Sequence, residues 1–137
     1  MSYDLIQTAC VIRYPYLWAR EDRHGETEGR KSRPVAVGVR MGRPDGDLVL
    51  FFPITTKEPE AVRFAAEIPA MEKRRAGLDA DLRLWIILDE FNTDAIGRSF
   101  YLEPDPSIGQ FSKAFFLPLL REFIARRKSA TEVNRLR

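Results

Sequence analysis

The spacing of apolar and polar positions changes once along the chain, from strand-like up to about residue 103 to helix-like after residue 111. Residues 10–14 open as an apolar strand, and residues 16–19 continue it past Pro15, which cannot donate to a ladder and so marks a bend or an edge. Residues 20–33 are polar, hold Gly25 and Gly29, and have no apolar period, so they read as a long loop. Residues 35–40 alternate apolar and small side chains. Residues 47–54 form a nearly continuous apolar run, the pattern of a strand covered on both faces. Between them Gly42-Arg43-Pro44-Asp45-Gly46 is a turn, because proline presets φ and glycine accepts positive φ.

Residues 61–69 alternate again, with Val62, Phe64, Ala66 and Ile68 on one side. Helix formers at 70–76 followed by Gly77 predict a short helix. Residues 82–88 predict a strand around Trp85, Ile86 and Ile87. Residues 89–97 are polar and read as irregular, and residues 99–103 predict a last strand closed by Pro104-Asp105-Pro106. Beyond that, Phe115, Phe116, Leu119, Leu120, Phe123 and Ile124 repeat at helical spacing. Proline suits a helix's first turn, so Pro118 sets the predicted start near Leu117. The helix should end about Lys128, where Arg126, Arg127 and Lys128 complement the helix dipole. Residues 129–137 have no pattern and are expected to fray. The expected class is mainly β (α+β), one domain over residues 1–137 with a C-terminal helix.

Composition narrows the function classes. With 137 residues, 45% hydrophobic and 31% charged, the chain can bury a core and is not disordered. Lys and Arg number 22 against 20 Asp and Glu, a net +2 that does not by itself announce nucleic acid. A single cysteine, Cys10, and a single histidine, His24, exclude a disulfide framework and a Cys/His zinc site. No phosphate-binding glycine loop is present. No run reaches the ~18 apolar residues of a membrane span, and the first ten residues lack signal-peptide features. These readings predict a soluble cytoplasmic protein without membrane, metal or cofactor.

Three polar clusters sit at predicted strand ends. Lys31-Ser32-Arg33-Pro34 places cations where a loop enters a strand, and an arginine there can present its planar fork to a phosphate. The plainer reading is a solvated basic cluster paired with Glu26 or Glu28. Pro53-Ile54-Thr55-Thr56-Lys57 brings hydroxyls out at the end of the most apolar strand, where they bind phosphate or simply start a turn. Glu90-Phe91-Asn92-Thr93-Asp94 is the third, and an Asx turn accounts for Asn92 and Asp94 without any function. Tyr14, Tyr16 and Trp18 are either core or platforms for stacked bases.

Taken in order, these segments resemble the PemK/MazF family of toxins, small SH3-like barrels that act as sequence-selective endoribonucleases. The resemblance is carried by a glycine- and glutamate-bearing loop, Glu26-Thr27-Glu28-Gly29, then Arg33-Pro34 and the valine-rich Val35-Ala36-Val37-Gly38-Val39. It continues through Pro53-Ile54-Thr55 and the Leu117-Pro118 pair before a terminal helix. Where the family's later loop carries Arg-Thr-Ile-Asp, this chain has Asn92-Thr93-Asp94. If the protein does not cut, Asn92 is the first suspect, and a gain of cleavage on restoring arginine there would show a site one substitution from active.

The resemblance implies an SH3-like small β-barrel, a homodimer, single-stranded RNA as substrate and a protein antitoxin as partner. It implies metal-independent cleavage by 2′-OH attack, with Arg33, Thr55 and Glu28 catalytic and Lys31, Asn92, Asp94 and Tyr16 binding substrate. Arg33 would stabilise charge on phosphoryl oxygen, Thr55 would hold a phosphate oxygen, and Glu28 would serve as base. The acid is His24, Lys31 or Asp94. Phe111, Phe115 and Phe116 are the apolar residues to spare for a dimer. The competing class is a non-catalytic SH3-like module that binds nucleic acid or protein.

Overall fold

The computed structural model describes residues 2–27, 29 and 31–136. Among the described residues eight strands and three α-helices follow in the order β1 (Cys10–Tyr14), α1 (Ala19–Arg23), β2 (Arg33–Met41), β3 (Leu48–Thr55), β4 (Ala65–Glu67), α2 (Ala70–Arg75), β5 (Trp85–Ile87), β6 (Glu90–Ala95), β7 (Ser107–Gln110), α3 (Lys113–Arg126) and β8 (Thr131–Asn134). The strands form one sheet in the order β4-β5-β3-β2-β1-β7, and β6 branches from β3 and carries β8. Pairing is antiparallel except between β6 and β8, which run parallel. β3 is the shared strand: Leu48 to Phe51 pair with β6, whereas Ile54 and Thr55 pair with β5. Among the described residues β4 and β7 each have one neighbour, so the sheet is open. The mainly β, α+β class holds in this form.

The apolar run of β3 is covered on both faces, as its pattern requires. Its alternate residues Phe51 and Phe52 enter two different cores. On one side Phe52 meets Val11, Ile54, Ile86, Phe91 and the α3 residues Phe116, Leu120 and Phe123. Phe123 stands edge-on to Phe52 at 4.8 Å and to Phe91 at 5.4 Å. Each such ring pair adds about 0.5–1.5 kcal/mol beyond its buried area. On the other side Phe51 packs with Ile12, Tyr14, Tyr16, Trp18, Val35 and Val37.

Several sequence expectations are corrected. Residues 16–19 do not extend β1: the amide of Tyr16 turns back to the carbonyl of Tyr14, and α1 begins at Ala19, with the Glu21 carboxylate accepting from the Trp18 amide. The 61–69 alternation yields only β4, because the amide of Arg63 closes a turn on Glu60. Residues 89–97 are not irregular but hold β6, and the last strand of this part is β7 rather than 99–103. Gly77, at φ +73°, follows α2 as expected.

α3 starts four residues before Leu117. Ser112 caps it by accepting from the Phe115 amide, while its own amide and hydroxyl donate to Glu72 at 2.8 Å each. Pro118 therefore lies inside the helix and costs one backbone hydrogen bond, offset by the burial of Phe116, Leu120 and Phe123. Phe111 and Phe116 are buried in the chain's own core and are not spare for a dimer. Within the tail expected to fray, Thr131–Asn134 form β8, with Val133 buried. No helix among the described residues is long and apolar enough to cross a membrane.

Candidate functional site

β6 alternates strictly. Glu90, Asn92 and Asp94 share one side of the strand, and all three are buried. Buried polar groups must be paired, and each of these is paired to the segment running from β1 into α1. Glu90 accepts from the Tyr16 hydroxyl at 3.0 Å, from the Ala19 amide at 2.9 Å and from Arg63 at 3.2 Å. Asn92 accepts from the Leu17 amide at 2.9 Å and donates to the Leu17 carbonyl at 2.8 Å, taking the place of a strand neighbour. Asp94 accepts from the Tyr14 and Ser99 hydroxyls and from the Ala95 amide. Burial first, and then the facing carboxylates, push both the Tyr14 and Tyr16 phenols well above their ordinary value.

This column corrects three of the expected substrate-binding residues. Asn92 and Asp94 have no exposed surface, and Tyr16 shows no ring face to a ligand. All three brace the fold. Asp94 is thereby also removed from the candidate acids.

Next to the column lies an open cleft of about 600 Å³. It is bounded by α1, by the end of β3 with the loop beyond it, and by the starts of β6 and β8. Thr55 stands in it, as its place at a strand end requires. Its hydroxyl oxygen accepts from the Lys57 amide at 3.1 Å, so the hydroxyl proton is left to donate. Arg20 and Arg23 come from α1, one turn apart, and Lys57 from the loop after β3.

Arg63 completes the cleft. Its Nε and Nη2 hold both oxygens of Asp89 at 2.7 and 2.6 Å, and this pairing, with Glu90 beside it, raises the guanidinium's affinity for its proton. Trp18 forms a wall, with the guanidinium of Arg20 5.1 Å and that of Arg33 5.3 Å from its ring centre, both within cation–π range.

Arg33 is thus adjacent to the cleft through Trp18 rather than a lining residue. It is half-buried, among the described residues its Nε has no hydrogen-bond partner, and desolvation lowers its pKa below the usual arginine value. Lys31 is exposed and does not line the cleft. Glu28 lies outside the described residues. His24, at the C-terminal cap of α1 directly after the cleft residue Arg23, is exposed. Cys10 is a buried free thiol. Among the described residues no three His, Cys, Asp or Glu side chains converge to hold a metal ion.

The cleft gathers residues that the sequence did not single out, namely Arg20, Arg23, Arg63 and Asp89. The spacing of Arg20 and Arg23 is a helical signal, but it spans a helix of only five residues. Nothing local foretells the long-range pairing of Arg63 with Asp89. The cleft sets the cations Arg20, Arg23 and Lys57 and the Thr55 hydroxyl beside one aromatic wall, with the carboxylates of Glu58 and Glu60 on the same lining. No family model, no curated protein and no solved structure matches this chain.

Proposed function

We propose that the protein is a metal-independent endoribonuclease of the PemK/MazF kind, and that single-stranded RNA lies across the Thr55 cleft. The observation carrying this reading is the convergence on one cleft of the Thr55 hydroxyl, the cations Arg20, Arg23 and Lys57, and the Trp18 wall that bears Arg33. In the reaction the 2′-oxygen bonds to the adjacent phosphorus as the bond from phosphorus to the 5′-oxygen breaks. A base takes the 2′-hydroxyl proton, and an acid, for which His24, the chain's one imidazole, follows the cleft residue Arg23, protonates the leaving oxygen. Arginine and threonine donors stabilise the charge that grows on phosphoryl oxygen.

On this reading the sheet is a parted SH3-like barrel, supported by the way β3 divides one edge between β5 and β6. A homodimer and a protein antitoxin covering the cleft belong to the same proposal, as does a cytoplasmic location.

Incubation with mixed-sequence RNA in the presence of a chelator should yield fragments with 5′-hydroxyl ends. Arg33→Ala should slow cleavage about a hundredfold, the usual loss of one preorganised donor, with a much smaller change in RNA affinity. Thr55→Val should act in the same sense. A second reading, a binding module that cuts nothing, is favoured by one observation: two of the four carboxylates lining the cleft, Asp89 and Glu90, already hold Arg63. RNA binding that weakens steeply with salt, without any cleavage, would decide for it.

A further inference from the structure

Arg135, just past β8, is 4% exposed although it carries a full charge. Among the described residues it has no carboxylate partner; its acceptors are neutral. Nη1 donates to the Pro15 carbonyl at 2.7 Å and to the Asn92 side chain at 3.2 Å, and Nη2 donates to the Thr27 carbonyl at 3.3 Å. The guanidinium lies 3.9 Å from the ring centre of Tyr101 and 5.5 Å from that of Tyr14. The hydroxyl of Tyr101 donates to the same Thr27 carbonyl at 3.0 Å. Two residues on, a β-carbon at Gly29 would stand 2.2 Å from the Pro15 carbonyl oxygen, so only glycine lets the loop lie on this backbone. A planar fork with donors on separate nitrogens can bridge two carbonyls; an ammonium acts as a single point charge.

We propose that Arg135 is a positioning residue that latches the loop between α1 and β2. It fixes Thr27 against Pro15 and so sets the approach of Lys31 and Arg33 to the sheet. The last strand thereby controls the loop: any partner that peels β8 from β6 also withdraws the bridge and frees the loop. The inference concerns how the loop is held and stands whether or not the protein acts on RNA.

The test is amide hydrogen exchange of the full chain, read in peptides covering residues 24–32 and, separately, β2 with β3. Arg135→Met keeps an unbranched apolar side chain and removes the donors. Exchange in 24–32 should rise about tenfold or more, the scale expected for losing a charged hydrogen bond, with β2 and β3 still protected. Tyr101→Phe keeps the ring under the guanidinium and should raise exchange in the same segment by about fivefold.

Arg135→Lys keeps the charge but not the bridge, and should loosen the loop nearly as much as methionine does. Full protection with lysine would overturn the bridging role. Unchanged exchange in 24–32, or a rise shared equally by β2 and β3, would overturn the latch. If Arg135→Met does not fold, Tyr101→Phe decides alone.

Discussion

Asn92→Arg is expected to unfold the protein rather than to bring cleavage back. The side chain of Asn92 has no exposed surface, and both its amide groups are engaged with the backbone of Leu17. Arginine there would orphan the Leu17 amide and the Leu17 carbonyl, at about 1–3 kcal/mol for each buried group left unpaired. It would also bring a second guanidinium to the pocket that Arg135 already occupies, since Arg135 Nη1 lies 3.2 Å from Asn92. An unpaired buried charge costs a further 3–5 kcal/mol or so. The sum is comparable with the ~5–15 kcal/mol that holds an ordinary domain folded. Thermal melting followed by circular dichroism should show no cooperative transition for the variant. Asn92→Asp, which loses only the donor to Leu17 and gains attraction to Arg135, should fold with a lowered melting temperature. A folded Asn92→Arg protein with wild-type melting would refute this account of the column.

Alkali is expected to unfold the protein cooperatively above about pH 10, the ordinary phenol value. Tyr14 and Tyr16 keep their protons in the folded state well beyond that value, held by burial and by the carboxylates of Asp94 and Glu90. The unfolded chain releases both protons near 10. Below that pH the two states bind the same number of protons at these groups, and stability does not change on their account. Above it the unfolded state binds fewer, so stability falls by about 1.4 kcal/mol per pH unit for each phenol. Of the four tyrosines, these two should yield tyrosinate absorbance only as the far-ultraviolet signal of the sheet is lost. Tyrosinate from all four before any loss of sheet would count against it.

Much of the fold is legible in the spacing of apolar residues. β2, β3 and the turn between them, α2 with Gly77 after it, and the aromatic stripe of α3 all follow from local pattern, because each buries a face whose period is its own. β6 was harder for a physical reason. Its sequence alternates with period two, but the side chains facing the β1–α1 segment are Glu90, Asn92 and Asp94, so the usual colouring of the pattern is reversed. Burial there depends on Tyr14, Tyr16, Leu17 and Arg135, residues 43 to 80 positions away in sequence.

β8 has the same cause, since Thr131 to Asn134 are set by their pairing with β6 and not by their own composition. For α3 the signal was present: Ser112 is a standard N-cap, and it outweighs the preference of Pro118 for a first turn. Of the candidate site, Thr55 was legible because strand ends expose hydroxyls. The cleft's arginines were not, because Arg63 reaches it only through Asp89, 26 residues on.

The parallel pairing of β8 with β6 also sets a condition on synthesis. Chains fold from their N-terminal side as they are made, and β6 finds β3 long before residues 131–134 exist. Until then the second edge of β6 is a row of unpaired amides and carbonyls, the kind of edge on which another chain can assemble. A chain halted between Gln110 and Thr131 therefore holds seven of the eight strands with one edge of β6 bare. Aggregation of such stalled chains, rather than their unfolding, is the hazard that the arrival of β8 removes.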